Sequence, residues 1–137
     1  MRNESQIELI KTSFAITVFS LIQVCLFVIA YDSVVEIYRS RFGEMNRVFG
    51  FGMQINNGAL LLCLLAALNS SAQILSKKAF ARLAAPFICS IIWMFYWSNI
   101  TEVDPNRFLL LTALGMASFL GGVLVSSENR AVEIYLK

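Results

Sequence analysis

Four long apolar stretches alternate with short polar segments along the chain. The apolar stretches cover residues 13–31, 48–68, 79–97 and 108–125. Each is close to the roughly 20 residues that a helix needs to cross a hydrocarbon core of about 30 Å. The pattern predicts an all-α fold, in which residues 1–137 form a single membrane domain built as an integral four-helix bundle in a lipid bilayer.

The connector between the first two spans, residues 32–47, has an amphipathic pattern. Its apolar residues share one side of a helical wheel and its charged residues the other: Val34, Val35, Tyr38, Phe42 and Met45 against Glu36, Arg39, Glu44 and Arg47. This pattern predicts an amphipathic helix that lies in the membrane interface. An ordered surface loop with a solvated charged face is the alternative.

Amide side chains occur inside two of the predicted spans. Gln23 lies in the middle of the first span, and Gln54, Asn56 and Asn57 lie in the first half of the second. An amide in hydrocarbon costs free energy unless it finds a partner, so we expect Gln54 and Asn57 to face protein and Gln23 to bond to the amides of the second span. They either bind a ligand or partner helix, or only join helices of this chain.

The third span contains a proline and ends in a cluster of aromatic residues. Pro86 has no amide hydrogen, so the carbonyl of Arg82 loses its helical partner and a kink is expected. Trp93 and Tyr96 belong to the aromatic cluster, which predicts a belt at the membrane interface. Alternatively, these rings line a ligand pocket.

Small residues recur along the fourth span. Ala113, Ala117 and Gly121 follow one another at four-residue spacing, and Ser118 and Gly122 form a second such pair. Small residues at this spacing allow two helix backbones to approach closely. The pattern therefore predicts helix-packing faces, whose partner is either another helix of this chain or a second subunit.

The composition argues against catalysis and against metal binding. The chain is 58% hydrophobic and 15% charged, whereas a soluble domain is about 45–50% apolar and about 25% charged. It has no histidine, and its three cysteines, Cys25, Cys63 and Cys89, stand singly in apolar stretches. We therefore expect no enzyme, no cofactor and no metal site, and a net charge of +2 gives no argument for nucleic-acid binding.

The distribution of lysine and arginine predicts the orientation. With four spans, the two terminal segments and the second connector share one side, which carries seven of the 11 cations: Arg2, Lys11, Lys77, Lys78, Arg82, Arg130 and Lys137. The opposite side carries Arg39, Arg41, Arg47 and Arg107. The positive-inside rule then places both termini in the cytoplasm. A bacterial inner membrane and an organelle membrane remain as alternatives.

The layout consists of one long span, an amphipathic connector and three closely spaced spans. It resembles that of small four-helix membrane families such as the DoxX-like proteins, in hydrophobic layout alone. Small multidrug exporters also have four spans, but they need an acidic residue within the first, where this chain has Gln23.

Three classes of function fit these patterns. The favoured one is an accessory or scaffolding subunit that packs within a larger membrane complex, with hetero-complex formation preferred over a homo-oligomer. The second is a bundle that binds a lipid, quinone or pigment-like ligand, for which an apolar cavity reaching the amides of the second span would be the distinguishing feature. The third is a small transporter or pore, which would need a wet path through the bundle.

Overall fold

The computed structural model describes residues 2–42, 51–99 and 105–135. Within these ranges the chain forms four α-helices and no strand: α1 Arg2–Phe42, α2 Phe51–Leu75, α3 Ala79–Ser98 and α4 Pro105–Tyr135. Each contains a segment long and apolar enough to cross a membrane. The predicted fold class is confirmed, and the chain is an integral multi-pass membrane protein.

The helices pack in a ring in which each helix contacts the next and α4 closes the ring against α1. Across the centre, α2 and α4 also contact each other, whereas no close backbone contact joins α1 and α3 within the described ranges. Side chains of α1 therefore reach the bundle centre through the space between α2 and α4.

Helix α1 is longer than the sequence pattern predicts. It has 41 residues, so at 1.5 Å per residue it is about 62 Å long, twice the hydrocarbon thickness. The helix runs without interruption through Asp32 to Phe42, so these residues are helical as predicted but continue α1 instead of forming a separate helix. No glycine or proline interrupts the chain before Gly43. The rest of that connector, residues 43–47, lies outside the described residues.

Helix α2 also extends beyond its predicted end at residue 68. It continues to Leu75, and only residues 76–78 separate it from α3. The residues that look like a polar connector include Asn69, Ser70 and Gln73, which are at most 3% exposed. They continue the buried face of the helix instead of leaving the bundle.

The core has a polar layer and an aromatic layer. The apolar residues buried in it are Leu62, Leu65, Ala66, Cys89, Trp93, Trp97, Leu111 and Phe119. Large apolar side chains also cover the outside: Phe80 is 81% exposed and Phe14 is 71% exposed. In water such a surface would be unfavourable, so these side chains are suited to contact with lipid.

Candidate functional site

The polar layer is organised around Gln23 of α1, which is 1% exposed. Its Nε2 donates to Ser70 Oγ at 2.7 Å and, at 3.3 Å, to the carbonyl of Phe19 one turn earlier. Its Oε1 accepts a hydrogen bond of 2.9 Å from Asn69 Nδ2. Both ends of the amide are therefore satisfied inside the bundle, as a buried polar group requires.

Asn69 links α2 to two other helices. Its side chain is fully buried, and Nδ2 donates both to Gln23 Oε1 and, at 3.0 Å, to the carbonyl of Phe119 in α4. Its Oδ1 accepts a long hydrogen bond of 3.4 Å from Gln73 Nε2. One asparagine thus connects α1, α2 and α4 within the apolar interior.

Gln73 connects the same layer to α3. Its Nε2 donates at 2.6 Å to the carbonyl of Arg82, the carbonyl that Pro86 leaves without a helical donor. The expected loss of that helical bond is therefore compensated by a side chain from the neighbouring helix. This bond removes most of the cost of the missing amide hydrogen.

Small residues of α4 lie directly against Gln23. Ser118 Oγ donates to the backbone carbonyl of Gln23 at 3.1 Å. A Cβ atom on Gly122 would lie 2.5 Å from Gln23 Cδ, far inside a normal contact of about 3.5–4.0 Å. Gly122 therefore lets the backbone of α4 lie directly against the Gln23 amide.

Trp93 and Trp97 form the centre of the aromatic layer. Trp93 Nε1 donates to the carbonyl of Leu111 at 2.9 Å, and a Cβ on Gly115 would lie 2.3 Å from the indole ring. The rings of Trp93 and Phe27 meet edge to face with centroids 5.5 Å apart. The two tryptophans are 1% and 3% exposed, so they pack inside the bundle and do not form an outward-facing belt.

An apolar pocket of about 190 Å³ opens beside these rings. All four helices contribute to its lining, α1 and α2 most of all: Val24, Phe27, Val28, Tyr31, Gly58, Ala59, Leu62, Cys63, Trp93, Trp97 and Leu111. Trp97 Nε1 is buried and has no hydrogen-bond partner among the described residues. A buried donor without an acceptor costs about 1–3 kcal/mol.

Of the amides predicted in the first half of α2, Asn57 is not brought together with Gln23. Asn57 is exposed on the chain surface, and the side chains of Gln54 and Asn56 lie outside the described part of the structure. Gln23 bonds to α2 as expected, but its partners are Asn69 and Ser70, beyond the predicted end of that span. The lining of the apolar pocket includes Gly58 and does not include Asn57.

The remaining predicted residues divide between the inside and the outside of the bundle. Tyr96 is partly buried and stacks on Trp93 with ring centroids 6.3 Å apart. On α4, Ser118 and Gly122 are buried against α1, whereas Ala113 and Ala117 are exposed. Gly121 is intermediate, with Leu26 of α1 as its near neighbour.

Asn69, Ser70 and Gln73 are not among the predicted site residues, although the sequence contains a signal for them. Together with Leu62, Leu65 and Ala66 they recur at intervals of three and four residues, which places all six on one helical face. A helix-period pattern that continues through polar residues indicates a buried polar face. A change of composition at residue 69, taken alone, indicates a connector.

The described residues contain no cluster of three or more metal-ligating side chains. The polar groups of the interior are amides and hydroxyls, which at neutral pH neither exchange protons readily nor attack a substrate without a base beside them. Amides and hydroxyls arranged in this way can hold helices in register and can bind a ligand.

No protein-family model, no curated protein and no solved structure matches this chain.

Proposed function

We propose that the protein is a non-catalytic subunit that packs within a larger membrane complex. The supporting observation is the division of small residues on α4. Ser118 and Gly122 are used within the chain, whereas Ala113 and Ala117 are exposed at four-residue spacing on another face. Exposed small residues give lipid little contact area but let a second helix approach closely.

The hydrogen bonds of the polar layer support the same proposal. Gln23, Asn69 and Gln73 are all hydrogen-bonded to neighbouring helices, so the amides that cross the bundle hold it together. A bundle fixed in this way offers a partner a preformed surface, which lowers the entropic cost of association. A hetero-complex, with both termini of this chain in the cytoplasm, fits the proposal and the excess of cations on that side.

The proposal is tested by extracting the protein from its native membranes in a gentle detergent and identifying co-eluting proteins by mass spectrometry. Wild type should elute with stoichiometric amounts of larger membrane proteins. Ala117→Phe should lose them, because the ring blocks close helix approach. Met116→Phe is the matched control, since Met116 neighbours Ala117 but points about 100° away around the helix and is 44% exposed.

A protein that elutes alone or as a homo-oligomer contradicts the proposal. So does equal retention of partners by Ala117→Phe and Met116→Phe. Both positions face outwards, so neither change should alter unfolding of the isolated chain in detergent, and that measurement separates lost association from lost folding.

The aromatic pocket favours a second candidate, the binding of a hydrophobic ligand with a hydrogen-bond acceptor. The pocket is almost entirely apolar, and one of the rings that line it carries Trp97 Nε1, a donor with no partner in the part of the chain that the structure describes. A quinone carbonyl or a lipid ester combines an apolar body with an acceptor of this kind. The amides of the first half of α2 are not needed for this version of the ligand hypothesis.

Cysteine labelling tests the second candidate. Cys63 and Cys25 are both exposed, but only Cys63 lines the pocket. In single-cysteine proteins, a short-chain quinone should slow the reaction of Cys63 with a membrane-permeant maleimide and leave Cys25 unaffected. A saturated hydrocarbon of equal length should protect less, and Trp97→Phe should abolish that preference. Equal protection of Cys63 and Cys25 would contradict ligand binding in the pocket.

A further inference from the structure

A second pocket lies at the end of the bundle where α2 leads into α3. It measures about 310 Å³, and its lining comprises Gln73, Ala79, Arg82, Leu83, Val123, Ser126 and Ser127. The pocket is therefore walled by α2, the first turn of α3 and the part of α4 near the end of its apolar segment, which closes at Ser127. This position is at the level of the lipid headgroups on one face of the membrane.

The electrostatics of this pocket favour an anion. Arg82 lines it, and the exposed Lys77 and Lys78 stand just before it in the chain. Helix α3 begins at Ala79 with no side-chain cap on its amides and no acidic residue in its first turn. The free amides and the positive end of the helix dipole add to the charge of Arg82.

Ser126 supplies an independent sign of a missing ligand. It is 6% exposed and lines the pocket, yet its hydroxyl has no hydrogen-bond partner among the described residues. The neighbouring Ser127, by contrast, donates to the carbonyl of Leu124 at 2.8 Å. Helical serines usually bond back to their own helix in this manner. A hydroxyl without such a bond, on a residue that is otherwise buried and that lines the pocket together with Arg82, is available to an acceptor from a ligand.

We infer that the Arg82–Ser126 pocket binds the phosphate of an anionic phospholipid. Arg82 supplies the charge, Ser126 a hydroxyl donor, and the first turn of α3 the free amides. Leu83 and Val123 supply apolar walls for the upper part of the acyl chains. A free phosphate ion would use the same donors but gain nothing from these apolar walls.

The test uses the full-length protein in phosphatidylcholine nanodiscs, with phosphatidylglycerol titrated in and bound lipid counted by native mass spectrometry. Wild type should retain phosphatidylglycerol in preference to phosphatidylcholine. Arg82→Gln should weaken that preference roughly fivefold or more, as one cation near a membrane surface contributes. Ser126→Ala should weaken it roughly two- to tenfold, the value of one hydrogen bond. Lys11→Gln removes the same charge outside the pocket and should change it less than twofold.

Arg82→Gln leaves intact the carbonyl that accepts from Gln73, so this variant keeps the α2–α3 bond. If Arg82→Gln nevertheless misfolds, Ser126→Ala serves as the test, because this change removes only one oxygen atom. Equal retention of the two lipids by wild type overturns the inference, as does an Arg82→Gln effect no larger than that of Lys11→Gln. Displacement of phosphatidylglycerol by millimolar inorganic phosphate would show a free-anion site and would also overturn it.

Discussion

The two adjacent glycines of α4 allow a sharp test of the packing between α1 and α4. Gly122→Ala places a methyl group 2.5 Å from Gln23 Cδ and 2.8 Å from Gln23 Nε2. Gly121→Ala places the same group 3.3 Å from Leu26 Cδ1, the flexible end of a side chain. Both changes gain the same helix propensity, about 1 kcal/mol, so this contribution cancels when the two variants are compared.

The expected difference in stability between the two variants follows from the hydrogen bonds that Gln23 loses in Gly122→Ala. To restore a normal contact its amide has to move by about 1 Å, which breaks the 2.7 Å bond to Ser70 and the 2.9 Å bond from Asn69. Two interhelical bonds in a membrane contribute about 1–3 kcal/mol together, and overpacking adds about 1–3 kcal/mol. Gly122→Ala should therefore be less stable than Gly121→Ala by at least about 2 kcal/mol.

Unfolding in mixed micelles with increasing dodecyl sulfate measures this difference, with the fluorescence of the buried Trp93 and Trp97 as the signal. Gln23→Ala in the Gly122→Ala background removes the clash, so the two changes should be clearly non-additive. Equal stability of Gly122→Ala and Gly121→Ala would refute the close approach of α4 to the Gln23 amide. Strict additivity in the double variant would refute the argument that the amide carries the effect.

Two further comparisons use the same unfolding measurement. Gln73→Leu should lower the free energy of unfolding by about 1–3 kcal/mol, because the Arg82 carbonyl loses its donor. Pro86→Ala in addition should recover much of this loss by restoring a helical amide. No recovery would contradict the role assigned to Gln73. Trp93→Phe should cost about 1 kcal/mol more than Trp97→Phe, since only the Trp93 indole donates a hydrogen bond among the described residues. A larger cost at Trp97 would show that its N–H has an acceptor.

The sequence predicts the number of helices because crossing a bilayer imposes both length and apolarity. The same reasoning misplaces the end of α2, since Asn69 and Gln73 have the composition of a loop. Their hydrogen bonds join residues up to 50 positions apart, and no local pattern shows which acceptor lies opposite. Only the helical spacing of these residues with Leu62 and Ala66 indicated a continuing buried face.

The burial of Trp93 and Trp97 could not be predicted from composition either. An aromatic cluster at the end of a span predicts an interfacial belt, because most such rings contact headgroups. Whether a ring turns inwards depends on space across the bundle, and here Gly115 provides it for Trp93 and Gly58 for Trp97. The small-residue pattern of α4 was visible in the sequence, but its division into an inner and an outer face required the orientation of the helix.

The hydrogen bond between Gln73 and Arg82 has a consequence for how the chain assembles during synthesis. These two residues are nine positions apart, whereas Gln23 and Asn69 are 46 apart, and Ser118 and Gln23 are 95 apart. The α2–α3 hairpin can therefore close as soon as α3 enters the membrane, before any contact that needs α4. Until α4 arrives, Asn69 lacks one of its acceptors, so we expect the insertion machinery of the membrane to hold the partly formed bundle. We expect a nascent chain that ends after α3 to remain bound to that machinery longer than one that includes α4.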